Sequence, residues 1–413
     1  MHQKQTIQEG DKMPDNIIAQ WLNLPSVKLS EAVTRNGSTE IYLDRDDSLG
    51  YICSNCEQRS FWGWDTRLVR IRDLSVFTYK AYLNIYKHRT NCPDCGVKIE
   101  KLDFVDSYSR CTTRFEALVA RLCRITSLKQ VAELLELDWK TVKDIDKKYL
   151  KKQFAIPDYD NLRLLAVDEI AAHKGHKYFT VVMDLERTRV IWVGKDRTQK
   201  TLNRFFKELG RKRAKKIEAI GCDMWDPFIA SIEENTPGAK IVFDKFHVIK
   251  NYSKVIDKVR NIEFKKATEE NKEAIKGTKY LLLKNRNNLK KNQKERLQSL
   301  LELNENINIA YILKDALKRL WNYKSVGCAN RCLDSWISTA LASEIRPVIN
   351  FAQTLNRHRY GLINHCHYPI NSGKLEGMNN KIKVIKRIAY GFHDDEYFIL
   401  KIKQGCSPPL NTG

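Results

Sequence analysis

The chain has 413 residues, 42% of them hydrophobic, which is enough for several domains with ordinary cores. Lysine and arginine outnumber aspartate and glutamate by 72 to 50, and the net charge of +22 favours a polyanionic partner. The sequence has no apolar run of about 18 residues, and Met1–Asp15 is polar throughout, which argues against a membrane span and a secretory signal. We therefore expect a cytoplasmic protein that binds nucleic acid and not a membrane.

The first motif along the chain is a double pair of cysteines, each pair separated by two residues: Cys53 with Cys56, and Cys92 with Cys95. In a reducing cytosol, regularly spaced cysteines bind metal more often than they form disulfides. Four thiolates satisfy a tetrahedral, structural Zn²⁺, so we predict a zinc module over residues 51–100. Four unrelated core cysteines are the alternative. Two stretches between the pairs are typical of strands, Leu68–Ile71 and Val76–Ile85.

Three short helical segments follow. Apolar residues recur at helical spacing in 115–122 and again in 128–135, and a turn at 136–138 leads into a third segment, Trp139–Leu150. This spacing is typical of a helix-turn-helix domain, here over 105–155, whose last helix enters the major groove of DNA. Three short amphipathic helices also occur in proteins that never touch DNA. The residues we place nearest DNA are Trp139, Lys140, Thr141 and Lys143.

Two apolar strands then end on aspartate. The stretch 164–167 ends on Asp168 and Glu169, and 217–222 ends on Asp223, followed by a predicted helix from Trp225. A carboxylate at the end of an apolar strand is costly to desolvate unless a metal ion or a lysine balances it. Each aspartate is therefore a candidate metal ligand, and capping the strand at its solvent end is the alternative.

Further strands surround the first of these. Tyr178–Met183 is predicted to be the adjacent strand, and Val190–Val193 the third strand. A basic hairpin turn at 173–177 joins the first two, and we expect it to be solvated or to face phosphate, with metal binding by its histidines as the alternative. Another apolar strand, Ile241–Phe243, ends on a third aspartate and opens a helix. These segments predict an α/β domain in which neighbouring strands carry aspartates at their ends.

The segment Asn371–Phe392 has helical periodicity. Its apolar stripe comprises Leu375, Met378, Ile382 and Ile385, and its other side carries Glu376, Asn379, Asn380, Lys383 and Arg387. A solvated basic face does not explain a lone acid among these cations. Two strand-terminal aspartates and a helical glutamate are the parts of a two-metal phosphoryl-transfer site, because hard divalent ions prefer oxygen ligands.

Four stretches together resemble the DDE transposases of the ISL3 family of bacterial insertion sequences. They are LAVDE at 165–169, CDMW at 222–225, FDKFHVIK at 243–250 and EGMNNKIK at 376–383. The resemblance runs from about Trp21 to about Gln404. It implies a ribonuclease-H-like catalytic core, formed by 160–250 and 370–404, in a multidomain α/β protein that also carries a zinc module.

The resemblance further implies roles for individual residues. Asp168, Asp223 and Glu376 correspond to the acidic triad that binds two Mg²⁺ (or Mn²⁺) ions. The gap between the second and third acids is too long for a loop, and its lysine-rich, leucine-spaced sequence predicts a helical insertion over 250–370. The N-terminal segment, 1–50, would hold a hairpin of Val27–Val33 with Glu40–Leu43. Expected supporting residues are Asp244, His247, Asn379 and Asn380, and expected DNA contacts include Lys383 and Arg387.

The predicted function is that of a transposase, which binds the terminal inverted repeats of its element, cuts there and joins the ends to target DNA, as a homodimer or higher oligomer. A zinc and helix-turn-helix regulator would explain the first half of the chain but not the three acids. A ribonuclease-H-like nuclease or resolvase would share the chemistry without strand joining. A catalytically dead transposase would need a damaged triad, and all three acids are present.

Overall fold

A computed structural model describes residues 22–24, 26–173, 175, 177–370 and 372–407. The chain divides into two compact units, Met1–Gln153 and Phe154–Gly413. Most of the predicted segment 1–50 before the hairpin, and Lys174 and His176 of the basic turn, lie outside the described residues. Each unit has its own sheet and its own hydrophobic core. None of the described helices is long and apolar enough to cross a membrane.

The sheet of the first unit has the strand order β1-β2-β6-β5, with β7 paired to β6. The predicted hairpin is present as antiparallel β1 and β2, joined through Asn36 and Gly37, whose φ angles of 50° and 76° suit a tight turn with both central residues left-handed. The strands of this unit are β1 Val27–Arg35, β2 Ser38–Arg45, β3 Tyr51–Ile52, β4 Arg59–Ser60, β5 Gly63–Val76, β6 Tyr79–Cys92 and β7 Gly96–Ile99.

The strand-like stretches between the cysteine pairs form a single long hairpin of β5 and β6, each 14 residues. Val76 closes β5 instead of opening the next strand, because the chain turns at Phe77, whose φ is 53°. The hairpin buries Ile71 of β5 and Leu83 and Ile85 of β6 in the core of the unit.

Downstream of this sheet, the described part of the first unit contains the helices α1 Thr113–Ile125, α2 Leu128–Leu135 and α3 Trp139–Gln153. Ser127 caps α2 in a reciprocal capping box with Gln130, and Glu136 ends that helix in the left-handed region at φ 52°. The apolar stripes predicted from the sequence meet in one small core, so the three-helix arrangement follows the expected spacing.

The sheet of the second unit has the strand order β10-β9-β8-β11-β12. Strand β9 is antiparallel to both β8 and β10, whereas β11 lies parallel to both β8 and β12. The strands are β8 Leu164–His173, β9 Lys177–Asp184, β10 Arg189–Lys195, β11 Ala219–Cys222 and β12 Lys240–Phe243.

Register aligns three acids at one edge of this sheet. Ala166 of β8 pairs with Gly221 of β11, and Gly221 pairs with Val242 of β12. Each of the residues Asp168, Asp223 and Asp244 stands two positions beyond its paired residue. Because parallel strands carry their carboxyl ends to the same edge, the three aspartates share that edge.

Helices cover both faces of the sheet. Ala166 and Ile170 pack with the apolar residues of α15 and α16, while Leu165 and Val167 pack on the opposite face with α4, α6 and α7. The helices of this unit are α4 Gln199–Leu209, α5 Arg211–Ala214, α6 Asp226–Asn235, α7 Lys245–Lys266, α8 Glu269–Ile275, α9 Lys279–Leu283, α10 Lys291–Leu303, α11 Glu305–Lys318, α12 Val326–Ala342, α13 Arg346–Arg357, α14 Arg359–Ile363, α15 Ser372–Ile388 and α16 Asp395–Gly405.

The chain between the second and third candidate acids is helical, with α8 to α14 packed around the long helix α7. It leaves the sheet after β12 and returns to the same strand, where the Asn364 amide donates to the Ile241 carbonyl at 2.8 Å. The return needs a glycine at 361, because a Cβ there would lie 2.3 Å from the ring of Phe243. A long insertion that begins and ends beside one strand leaves the sheet intact.

Candidate active site

The edge of the sheet that carries the three aspartates opens into a cleft of about 1050 Å³. Helices α7 and α15 line two of its sides, and Glu376 reaches it from α15. The acids proposed from the sequence therefore come from three elements that are distant along the chain. The lining residues that were singled out in the sequence are Asp168, Asp223, Asp244, His247, Glu376, Asn379, Asn380, Lys383 and Arg387.

Asp168 is buried, with 7% of its surface exposed. One carboxylate oxygen, Oδ1, accepts from the Glu169 backbone N–H at 2.7 Å, and the other, Oδ2, accepts from the Asn379 amide at 2.5 Å. A buried carboxylate held from both sides has a fixed orientation. The partner Asn379 lies one helical turn beyond Glu376, so the helix that carries the glutamate also orients the aspartate.

Asp223 has a cationic neighbour. Its Oδ1 accepts from the Met224 backbone N–H at 2.7 Å, and its Oδ2 lies 3.3 Å from Nδ1 of His247. Burial alone would raise the pKa of Asp223, but the hydrogen bond and charge of His247 outweigh it and hold the pKa below its ordinary value, with help from the Met224 N–H and Lys254. Burial likewise disfavours the charged form of His247, yet the bond to Asp223 and the nearby aspartates raise its pKa.

Asp244 caps helix α7 by accepting from the Phe246 backbone N–H at 3.0 Å. Burial raises the pKa of this carboxyl above its ordinary value, and the neighbouring Asp168 and Asp223 add to that rise. The cleft thus concentrates negative charge around one histidine. Such a cluster of acids is suited to divalent cations.

Glu169 faces the other side of β8, as alternation along a strand requires. It pairs with Arg197, whose Nη1 lies 3.0 Å from both carboxylate oxygens. The pair lies at the rim of the same cleft. Asp168 and Glu169, although adjacent, therefore have different partners.

Helix α15 presents its polar side to the cleft and buries the predicted apolar stripe. Leu375, Met378 and Ile382 are buried against the sheet, whereas Glu376 and Asn380 are exposed. The Lys386 ammonium donates to the Ala171 carbonyl at 3.1 Å, which ties the cationic end of the helix to β8. This end of the cleft is positive and the sheet edge is negative.

The carboxylates are not gathered as tightly as the ligands of a single ion. Within the described ranges, the four predicted zinc cysteines are the one set of three or more metal-binding side chains whose ligand atoms all lie within 4.8 Å of one another. Two ions held roughly 3.5–4 Å apart need donors spread over a wider space than one ion does. The donors of the cleft are carboxylate oxygens, with orienting hydrogen bonds on Asp168 and Asp223, and this set fits hard divalent cations.

Comparison with known proteins agrees with this geometry. Residues 165–402 match the ISL3 family model for DDE proteins, described as a transposase, and residues 100–150 match the helix-turn-helix domain of transposase family ISL3. The chain is 38% identical over 356 residues to the transposase for insertion sequence element IS1001 of Bordetella parapertussis, covering 85% of this chain and 88% of that protein. It belongs to the ISL3 family of transposases. It is also 28% identical over 373 residues to the transposase for insertion sequence element IS1557 of Mycobacterium tuberculosis, with 84% of each chain covered.

The first unit of this ISL3 transposase brings the four predicted cysteines together. Cys53 and Cys92 are buried, and the Sγ atoms of Cys56 and Cys92 lie 3.4 Å apart. Backbone N–H groups of Cys56 and Asn55 donate to the Cys53 sulfur and lower its pKa to about 7. Four thiols at this spacing, with amide donors aimed at sulfur, fit a tetrahedral thiolate-bound ion such as zinc.

The helix-turn-helix of the transposase presents the residues expected to touch DNA on the first turns of α3. Trp139 is 52% exposed, Lys140 and Thr141 are exposed, and Lys143 is half-buried, while Val142 between them is buried. An exposed, basic start of the third helix suits insertion into a major groove.

Some lining residues were not singled out in the sequence. Lys250 and Lys254 follow His247 at positions that share one face of α7, a helical spacing that could have revealed them. Arg197 and Trp225 also line the cleft. Arg197 belongs to a cation-rich stretch, 195–216, that is available for backbone phosphates. No local pattern distinguishes it from the other cations there, because its contacts come from other strands and loops.

Proposed function

We propose that this ISL3 transposase cuts the ends of its insertion sequence and joins them to target DNA with a triad of Asp168, Asp223 and Glu376. The observation that carries the proposal is the convergence of these three acids, from two parallel strands and one later helix, in a single cation-walled cleft. Three antiparallel strands followed by two parallel ones, with helices on both faces, support a ribonuclease-H-like core for 160–250 and 370–404, with the helical insertion between them.

The triad would hold two Mg²⁺ or Mn²⁺ ions, which when bound would activate the attacking oxygen and neutralise the leaving one. The protein's own residues prepare the site. Asn379 orients Asp168 and His247 orients Asp223, so that both carboxylates are fixed before DNA arrives. Preorganised charges of this kind cost no reorganisation at the moment of reaction.

DNA strands in the cleft would contact its cationic sides. Lys383 and Arg387 on α15, with Lys250 and Lys254 on α7, neutralise backbone phosphates and hold the scissile linkage against the acids. Water first cleaves one phosphodiester and leaves a 3′-hydroxyl. The oxygen of that hydroxyl then attacks a target phosphorus, forms the new P–O bond and displaces the target strand's own 3′-oxygen.

End recognition would belong to the first unit. Trp139, Lys140, Thr141 and Lys143 would lie in the major groove of the terminal inverted repeat, and a structural Zn²⁺ on Cys53, Cys56, Cys92 and Cys95 would stabilise the module over residues 51–100. A transposase that joins two ends needs two active sites, so we propose a homodimer or higher oligomer on DNA, acting in the cytoplasm.

One reaction tests the whole proposal. The protein is incubated with labelled DNA that carries its element's end, with a supercoiled target plasmid, and with Mg²⁺, Mn²⁺ or EDTA. Metal-dependent nicking at the end, followed by joining of the labelled end to the plasmid, is the expected result. Binding without cleavage would identify a regulator, and cleavage without joining would identify a nuclease or resolvase.

A further inference from the structure

The cations of the catalytic cleft are unevenly distributed. Helix α7 contributes two lysines and α15 contributes two lysines and an arginine. The remaining side is formed by β8, the segment after β10 and the start of α6. On that side, among the described residues that line the cleft, Arg197 is the one cation.

Arg197 is held in a defined orientation. Its guanidinium carbon lies 4.3 Å from the ring centroid of Tyr178 and 4.9 Å from that of Trp225. The Trp225 indole N–H in turn donates to the Arg197 backbone carbonyl at 3.1 Å. A planar guanidinium between two aromatic rings loses little further freedom on binding a ligand, which makes it a strong and specific donor.

The ion pair with Glu169 does not use the whole guanidinium. Both Glu169 oxygens accept from the same nitrogen, Nη1, at 3.0 Å, so Nη2 and Nε lie outside this pair. An arginine that served only to neutralise Glu169 would be expected to pair through two nitrogens, in the fork that matches a carboxylate. The side chain also remains 37% exposed at the rim of the cleft.

We infer that Arg197 binds a backbone phosphate of the cleaved DNA strand beside the scissile linkage, and that Tyr178, Trp225 and Glu169 position it for that contact. The inference rests on the proposed function, because it names a phosphate contact of the same site. Arginine is suited to this role, since its donors match the geometry of phosphate oxygens. The contact would anchor the strand on the side opposite the two cationic helices.

The test combines a protein variant with a modified substrate. End DNA is prepared with a single neutral methylphosphonate at each linkage in turn around the cleavage site, and Mg²⁺-dependent cleavage is measured for the wild type and for Arg197→Ala. The substitution should lower cleavage of unmodified DNA by about 10- to 100-fold, the usual size of one charged hydrogen bond. At one linkage beside the scissile phosphate, the methylphosphonate should slow the wild type by a similar factor and slow Arg197→Ala no further.

Arg204→Ala is the matched control. Arg204 lies on α4 outside the cleft lining and donates to the Lys195 carbonyl, so its loss should leave every methylphosphonate effect unchanged. If Arg197→Ala does not fold, Arg197→Lys replaces it in the test. Lysine keeps the charge, so the cleavage rate should fall less than in Arg197→Ala. At the same linkage, the methylphosphonate should still slow this variant less than it slows the wild type.

Additive effects of variant and methylphosphonate at every linkage, or wild-type rates for Arg197→Ala, would overturn the role of Arg197 while leaving the transposase proposal intact. Absence of cleavage by the wild type in all metal conditions would overturn both.

Discussion

The cysteine site of the first unit and the acidic cleft of the second unit differ in how they are assembled. The four thiols come from two tight turns, and their ligand atoms already lie within 4.8 Å of one another. The acids come from two strands and a helix separated by most of the second unit, and they line an open cleft of about 1050 Å³. The cysteine site is thus formed by two local turns, whereas the acidic cleft is formed by elements that are distant along the chain and is open to solvent.

The difference matches the chemistry expected of each site. A structural metal site uses all four positions for protein ligands and needs no access to solvent, whereas a catalytic site must leave positions for water and substrate. Accordingly, the sulfur atoms contact one another, while Asp168 and Asp223 are oriented by Asn379 and His247. Damage to the first site should unfold a module, and damage to the second should stop a reaction in a folded protein.

The largest expected effect is on the triad. Asp168→Asn, Asp223→Asn and Glu376→Gln keep the shape of each side chain and remove one charge, so metal-dependent cleavage should fall by roughly 10³-fold or more while DNA binding persists. Cleavage of end DNA and a gel-shift titration measure the two properties.

The control for the triad is Glu169→Gln. Glu169 faces the opposite side of β8 and pairs with Arg197, so this variant should lose at most the contribution of Arg197 and keep much more activity than Asp168→Asn. If the two variants lose equal cleavage activity, the face of β8 that carries Asp168 is not the face that binds the metal ions, and the assignment of Asp168 is wrong.

The second prediction concerns the cysteine site. Purified protein should hold about one zinc per chain, and Cys92→Ser should lower that content and destabilise the first unit, because metal binding contributes directly to folding. Zinc analysis and thermal unfolding measure both effects. Cys123→Ser provides the control, since this buried thiol lies in the same unit but outside the cluster. An unchanged zinc content in Cys92→Ser would refute the four-cysteine site.

A third prediction separates orientation of the acids from their charge. Asn379→Ala removes the amide that holds Asp168 and should lower cleavage by about 10- to 100-fold, the range for residues that orient metal ligands. The loss should be partly recovered at high Mn²⁺ concentration, which a general folding defect would not produce. Asn380→Ala, on the exposed neighbouring position, should have a smaller effect. A larger loss of cleavage in Asn380→Ala than in Asn379→Ala would show that Asn380, and not Asn379, orients Asp168.

The smallest expected effect tests the stability of the second unit away from its cleft. Lys314 is buried in the helical insertion and donates to the carbonyls of Leu282 and Leu283 at 2.9 and 2.7 Å. Burial lowers its pKa to about 8, whereas the unfolded chain keeps lysine near pKa ~10.4. Between these values the unfolded state binds more protons, so this residue should raise the free energy of unfolding as pH rises, by at most about 1.4 kcal/mol per pH unit.

Urea unfolding of the wild type and Lys314→Met at pH 7.5, 8.5 and 9.5 measures this contribution. Tyrosines and cysteines also titrate in this range, but they are the same in both proteins, so their effect cancels in the difference between the two free energies of unfolding. The difference in stability should change in favour of the wild type across that range, most steeply above pH 8, where the native-state lysine is mostly deprotonated. Parallel stability curves throughout would show that Lys314 titrates normally.

The sequence predicted best where its signals are local. Cysteine pairs separated by two residues, the stripes of α1 to α3 and the apolar strand before Asp223 are each set by a few neighbouring residues, and each is present at the expected place. The prediction that a strand ends on Asp168 was wrong, because β8 continues to His173 and pairs with β9 through Asp168 and Glu169. The helical period of 375–385 also fixed which side of α15 is buried. The extent of the β5–β6 hairpin was less accurate, because alternation alone does not show where a long strand turns.

Other features depended on the tertiary structure because they join residues that no local pattern relates. The sequence specified the acids and, through its resemblance to the family motif, predicted their roles, but the register of β8, β11 and β12 put three aspartates at one edge. The partnership of Asn379 with Asp168 and the enclosure of Arg197 by Tyr178 and Trp225 arise from packing across separate elements. The sequence specifies the type of each side chain, whereas the packing of strands and helices determines its neighbours and therefore the charges around it.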